Sequence, residues 1–271
     1  MQNAKCKMQN DSPHPHFAFC ILHFTFCILF CGGKRNAEVR IAEVFRSLQG
    51  EGRLTGTESV FVRTSGCNLR CRFCDTPFAS WTPEGEDLSV DEILSQVEAL
   101  SQSAPASARS PVGYVVVTGG EPMLLAELIP LCAALRREGK HITIETAGTL
   151  YLPVECDLMS ISPKLSNSTP ASTSERHERN RRAPDVIRRL NAEHDCQFKF
   201  VVGSREDCRD VEAYLAEFPE IDRGRVMLMP EGTDARELAE KALWLMPYCA
   251  EHGVRYCPRR QIEWFGSQRG T

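Results

Sequence analysis

From Glu38 onward the apolar residues recur in two alternating rhythms. Six short runs are β-branched or continuously apolar and are bounded by Gly, Pro or charge: Glu58 to Arg63 (ESVFVR), Tyr114 to Thr118 (YVVVT), His141 to Glu145 (HITIE), Asp157 to Ser162 (DLMSIS), Gln197 to Val202 (QFKFVV) and Val226 to Met229 (VMLM). That pattern predicts strands. Between them, 89–99, 123–138, 184–192, 206–218 and 234–251 carry apolar residues three and four apart, as a helix covering a sheet requires. Leu124, Leu128, Leu131 and Leu135 should share one helical face, with Gly139 as the stop. Ser89, three residues before Glu92, has the form of an N-cap. Strands alternating with helices predict a right-handed parallel sheet, a barrel or a portion of one. Six units are too few for eight strands, so the expected class is α/β, an incomplete TIM-like barrel of about six parallel strands.

Two stretches read as loops. Residues 101–113 (SQSAPASARSPVG) and 166–184 (SNSTPASTSERHERNRRAP) are rich in Ser, Pro and charge. The second is long enough for a lid or a disordered insertion, and its arginines read as a solvated face.

Composition narrows the class. The 32 basic and 36 acidic residues give a formal charge of −4, which offers nothing to a phosphate backbone, so no direct nucleic-acid contact is expected. The 271 residues suffice for one large core. Thirteen cysteines, an odd number in a long chain, read as reduced thiols of a cytoplasmic protein, and Cys132, Cys156, Cys196, Cys208, Cys249 and Cys257 as small buried hydrophobes. Phe17 to Cys31 (FAFCILHFTFCILFC) is shorter than the roughly 20 residues of a membrane span and lacks a small-residue cleavage site, so no membrane anchor is expected. MQNAKCKMQN can be encoded by uninterrupted repeats of ATGCAAA, and FAFCILHFTFCIL by its reverse complement with one base changed. Residues 1–36 therefore read as translated non-coding repeat or a disordered extension, and 37–271 as the domain.

The chemistry gathers at Gly66 to Thr76 (GCNLRCRFCDT). Cys67, Cys71 and Cys74 stand at i, i+4 and i+7, so three cysteines buried on one helix face is one reading. Gly66 and Asn68 at its start, Asp75, Thr76 and Pro77 at its end and a strand before it favour a βα loop with ligands at its tip. Structural zinc wants four ligands, and C-x3-C-x2-C has no second pair. An iron–sulfur cluster with three thiolates keeps one iron open to a ligand. After the next strand, Thr118-Gly119-Gly120-Glu121-Pro122 offers glycines for close backbone approach and a carboxylate, Glu121, able to accept from an ammonium.

These two motifs resemble the cluster and GGEP motifs of the radical S-adenosylmethionine (SAM) enzymes, in which the methionine moiety chelates the fourth iron. Further stretches resemble one family within them, the 7-carboxy-7-deazaguanine synthases: SLQGEG at 47–52, Phe61-Val62-Arg63, CDT at 74–76, ETAGT at 145–149, SPK at 162–164 and FKFVV at 198–202. The likeness covers about Val39 to Gly266. It implies a radical SAM core holding a [4Fe–4S] cluster, S-adenosylmethionine and Mg2+. The implied reaction converts 6-carboxy-5,6,7,8-tetrahydropterin to 7-carboxy-7-deazaguanine with loss of ammonia, on the way to queuosine and other 7-deazapurines. A 5′-deoxyadenosyl radical starts it.

The resemblance also implies roles. Cys67, Cys71 and Cys74 would ligate the cluster, and Thr76 the magnesium. Phe73, Asp75, Gly120, Glu121, Ser162, Pro163 and Lys164 would form the cofactor side. Leu48, Gln49, Gly50, Glu51, Arg63, Thr118, Glu145 and Gln261 would form the substrate side, Arg63 as a fork for a carboxylate. Implied partners are an electron donor such as flavodoxin or ferredoxin and a second copy in a homodimer. Two departures stand out: Gln261 where many members have histidine, and Ala147 where an ETNG motif has asparagine. The competing readings are a glycyl-radical-enzyme activase, which would not need the Gln49 to Glu51 loop, and an iron–sulfur or zinc binding module, which would cleave no S-adenosylmethionine.

Overall fold

Strands buried on both faces need apolar side chains on the helix-covered side, and the central runs supply them. Val60, Val62, Val115, Val117, Ile142, Ile144, Met159, Ile161, Phe198, Phe200 and Val202 are all buried in one core with the flanking helices. The computed structural model describes residues 38–103, 112–266 and 268–270. Residues 1–36, read above as an extension, and most of the 101–113 loop lie outside the described residues.

The strands are β1 (Glu38–Leu48), β2 (Glu58–Thr64), β3 (Glu86–Ser89), β4 (Tyr114–Gly119), β5 (His141–Thr146), β6 (Leu158–Ile161), β7 (Cys196–Val202), β8 (Val226–Pro230) and β9 (Arg255–Tyr256). They form one open sheet in the order β3-β1-β2-β4-β5-β6-β7-β8-β9. The six expected strands are β2 and β4 to β8, each pairing in parallel with the next. Sequence periodicity missed three more. β9 extends the parallel run, whereas β1 pairs antiparallel with β2 and β3. A register shift between Ile41 and Glu43 breaks the alternation of β1, which is why period two did not reveal it.

The helices are α1 (Pro77–Ser80), α2 (Val90–Gln102), α3 (Leu128–Arg137), α4 (Ser174–Arg181), α5 (Pro184–Glu193), α6 (Arg205–Glu217), α7 (Ala235–Glu251) and α8 (Arg260–Phe265). Ser89 caps α2 in a full capping box with Glu92. The expected 123–138 helix is shorter than its pattern. A 3-10 turn occupies Pro122–Leu124, α3 begins at Leu128, and Leu124 is exposed while Leu128, Leu131 and Leu135 are fully buried. Segment 166–184 is no disordered insertion. It forms a 3-10 turn at Ser166–Ser168 and then α4, with His177 buried beneath it. The one buried residue of α4 is the polar His177, so no apolar stripe marked it.

Five of the six spare cysteines are buried as expected. Cys132, Cys196, Cys208, Cys249 and Cys257 are buried free thiols, and Cys156 is half-buried beside His194. Among the described residues no helix is long and apolar enough to cross a membrane.

Phe198 and Phe200 are among the largest fully buried side chains of the described residues. Phe198→Ala should therefore cost about 4 kcal/mol, read as a lowered urea midpoint at unchanged slope.

Candidate active site

The face of the sheet turned away from that core is polar toward the strand C-terminal ends. Strand register sets Arg63 opposite Thr118, Glu145 opposite Ser160 and Ser160 opposite Gln197. These side chains line, or lie just under, a cavity of about 590 Å³. The cavity is bounded on one side by the end of β1 and on the other by the loop after β2 that carries the three cysteines. Ligand sites at the carboxyl ends of parallel strands follow from this geometry, since the loops there converge.

The substrate-side expectations meet there. Leu48, Gln49, Gly50, Glu51, Arg63, Thr118, Glu145 and Gln261 all line the cavity. Glu51 is their hub: Lys199 Nζ donates to it at 2.9 Å, Gln261 Nε2 at 2.7 Å and Arg259 Nε at 3.4 Å. Lys199 also reaches Glu145 at 3.4 Å, and Thr118 Oγ1 donates to the same carboxylate at 2.9 Å. Gln49 bridges this group, donating to Glu145 and accepting from the Glu51 N–H. Arg63 donates through Nε to Glu43 at 2.7 Å, with its guanidinium over the Phe45 ring. Among the described residues its two terminal nitrogens make no hydrogen bond.

Lys199 stands within FKFVV and Arg259 within the span of the likeness, but neither was given a role by sequence reasoning. The signal for Lys199 was a lysine between two phenylalanines in a strand, a charge that must be paired if buried. Burial raises the Glu51 carboxyl, but the Lys199 and Arg259 charges and the bonds from Lys199 and Gln261 outweigh it, holding it down to about 2. Burial likewise lowers Lys199, yet Glu145 and Glu51 prevail and raise it, so the ammonium is kept.

The cysteine loop is not helical. Cys67, Cys71 and Cys74 line the same cavity, as do Phe73, Asp75, Thr76, Gly120, Ser162 and Lys164. Burial pushes the Cys67 thiol up to about 12 and the Cys71 thiol to about 11, so thiolates there depend on a bound cation. Among the described residues no three His, Cys, Asp or Glu side chains gather closely enough to hold one metal ion. Three thiols on one loop facing a shared cavity suit a cluster that would keep one iron open to a ligand.

Several expectations need correcting. Glu121 and Pro163 do not line the cavity. Glu121 is buried behind its wall, accepting from Thr146 Oγ1 at 2.7 Å, the Ala147 N–H at 2.8 Å and the Met123 N–H at 3.1 Å, so it holds the 146–147 backbone in place. The Ala147 N–H is thereby engaged and cannot replace the missing asparagine amide. Pro163 is buried on the side of α5. Gly120 does line the cavity, but its bareness has a packing cause: a Cβ there would lie 2.2 Å from the Gly66 carbonyl oxygen and 2.5 Å from that of Ala79. Asp75 is ion-paired to Arg259, tying the cysteine loop to the C-terminal segment. Gln261 Oε1 is buried without a partner among the described residues.

Gly120→Ala must push the Gly66 and Ala79 backbone away from the new methyl group and should cost about 2 kcal/mol or more, measured by denaturant titration. Glu51 carries a folded pKa below its ordinary 4.5, so its contribution is present above that value and is lost as pH falls toward about 2. Glu51→Gln should lower stability at neutral pH by about 3 kcal/mol and flatten the loss between pH 4.5 and 2, measured by urea titrations across that range.

Comparison with known proteins agrees with this geometry. The family model described as the radical SAM superfamily matches residues 61–218. The 7-carboxy-7-deazaguanine synthase of Rhodopirellula baltica is 44% identical over 242 residues, covering 87% of this chain and 90% of its own. That of Halobacterium salinarum is 40% identical, covering 82% and 88%. The crystal structure of QueE from Escherichia coli superposes with a TM-score of 0.61 over 82% of this chain and 94% of its own; at 24% identity it supports the fold, an open and mostly parallel sheet forming an incomplete barrel. By matched span and identity, the chain belongs to the 7-carboxy-7-deazaguanine synthase family of radical SAM enzymes.

Proposed function

We propose that this chain converts 6-carboxy-5,6,7,8-tetrahydropterin to 7-carboxy-7-deazaguanine with loss of ammonia, in the synthesis of queuosine and related 7-deazapurines. The observation that carries the reading is that one cavity joins three thiols on a loop to a belt of paired charges suited to a small carboxylated heterocycle. When bound, the reduced [4Fe–4S] cluster and S-adenosylmethionine supply the one-electron chemistry that removes a hydrogen atom from the substrate. Cys67, Cys71 and Cys74 would hold the cluster, with Phe73, Asp75, Gly120, Ser162 and Lys164 beside the cofactor.

The terminal nitrogens of Arg63 suit a bidentate grip on the substrate carboxylate. Gln49, Thr118, Glu145 and Gln261 present donors and acceptors at the height where the polar edge of a pterin would lie. Lys199, held protonated between Glu51 and Glu145, is placed to give a proton as ammonia departs, and Glu145, 3.4 Å away, to receive one. Thr76 offers a hydroxyl for Mg2+, a hard cation that keeps water and substrate oxygens as its other ligands. A low-potential protein such as flavodoxin or ferredoxin would deliver the electron, and the active unit would be a homodimer.

The test is anaerobic reconstitution with iron and sulfide, then incubation with reductant, S-adenosylmethionine, Mg2+ and the tetrahydropterin, with products identified by mass. The expected product is 7-carboxy-7-deazaguanine, with a rate that rises on adding Mg2+. Release of 5′-deoxyadenosine with the pterin unchanged would reject the substrate and favour an activase. Intact S-adenosylmethionine on a verified cluster would favour a binding module.

A further inference from the structure

The segment 166–181 makes three contacts with the backbone of the cysteine loop, and they fall on alternate residues between the thiols. Asn180 Nδ2 donates to the Asn68 carbonyl at 3.1 Å. The Arg70 N–H donates to His177 Nδ1 at 3.2 Å. The Arg72 N–H donates to the Ser168 carbonyl at 2.9 Å. His177 is 1% exposed and Ser168 wholly buried.

The state of the His177 ring follows from its partners. The single hydroxyl proton of Ser168 goes to the Leu165 carbonyl at 2.6 Å, so Ser168 Oγ accepts from His177 Nε2–H at 2.9 Å. Nδ1 is then bare and able to accept from Arg70. The same helix reaches the cofactor side, where Arg181 Nη1 donates to the Lys164 carbonyl at 3.1 Å. From within the loop, Arg70 Nη1 donates to the Cys67 and Leu69 carbonyls. Three peptide groups of this irregular backbone are thus fixed from α4 and the turn before it, the Cys71 carbonyl accepts from Trp81 Nε1 at 3.1 Å, and the other hydrogen bonds to peptide groups of 67–74 among the described residues run within the loop.

We propose that 166–181 is a clamp that forms the three-cysteine loop before any iron arrives, with His177 as its positioning residue. It touches no proposed ligand and acts through the Arg70 amide. The proposal rests on the assignment of the cluster to Cys67, Cys71 and Cys74. Its physical content is that an irregular loop carrying three thiols would otherwise sample many conformations, each lowering the fraction competent to hold a cluster.

The experiment compares full-length wild type with His177→Phe, His177→Asn, Asn180→Ala and a Cys71→Ala control. Hydrogen exchange is read on peptides covering 67–76 in the cluster-free chain, and iron loss to a chelator in the reconstituted chain. In His177→Phe both should be about tenfold faster, the effect of losing one buried acceptor, while exchange in β5 to β7 is unchanged. Asparagine carries an oxygen close to the position of Nδ1, so His177→Asn should recover both to within about threefold of wild type. Asn180→Ala, at a half-buried site that tolerates truncation, should speed loop exchange about threefold.

Unchanged loop exchange in His177→Phe overturns the proposal, as does equal exchange in the Phe and Asn variants. If His177→Phe does not fold, Asn180→Ala decides, and wild-type exchange there overturns it. A Cys71→Ala chain that keeps its iron as wild type does would remove the cluster assignment and the clamp with it. Altered exchange with that control behaving as expected supports both.

Discussion

A single carboxylate, Glu51, determines how the cavity is put together. It lies just past β1 and is bonded by Lys199 from β7 and by Arg259 and Gln261 from the C-terminal segment, elements up to 210 residues apart. Three donors on one acceptor in a water-poor site cost solvation and repay it only because every charge is matched: Lys199 has Glu51 and Glu145, and Arg259 has Glu51 and Asp75. The arrangement is a precondition for reading a polar ligand. Groups already held at fixed positions need little reordering when a substrate displaces water among them.

Much of this was legible in the sequence, and the exceptions have physical reasons. Central parallel strands are apolar on the helix side, so β2 and β4 to β8 stood out. β1 did not, because its bulge shifts the phase and its cavity face carries Glu43 and Phe45 at half burial. Motif and geometry coincide at Cys67, Cys71, Cys74 and Glu145, all of which line the cavity. The misplaced ones, Glu121 and Pro163, sit in motifs whose other members do face the cavity. Nothing in the spacing of TGGEP tells that Gly120 faces inward while Glu121 turns back to hold Thr146 and Ala147. Segment 166–184 failed for the opposite reason. Its only buried residue in α4 is a histidine bonded to a peptide N–H and a serine hydroxyl, and hydrophobic periodicity has no register for such packing.

The same loop is held from two sides by different chemistry. On the cavity side Asp75 meets Arg259 in an ion pair, and on the far side His177, Ser168 and Asn180 meet peptide groups. Neutral bonds to backbone are insensitive to salt and to a charged ligand nearby, whereas the Asp75 carboxylate is half exposed and screened. The rigid support therefore comes from α4, and the side facing the ligands keeps an ion pair that can yield.

An open sheet leaves a gap between its first and last strands, and the way this gap is filled explains the room inside. Among the described residues no ladder joins β9 to β1. Polar contacts span the distance instead: Arg260 N–H donates to the Gly50 carbonyl at 3.0 Å, Gly52 N–H approaches Cys257 Sγ at 3.2 Å and Arg53 N–H reaches Gln197 Oε1 at 2.9 Å. The approach is so close that a Cβ on Gly50 would lie 2.1 Å from Gln261 Oε1. Closing the circle by strand pairing would bring the walls to the side-chain-filled diameter of a small barrel. Closing it with a loop and a short helix keeps the walls apart, and a space of about 590 Å³ survives at the strand ends for a cofactor and a substrate together.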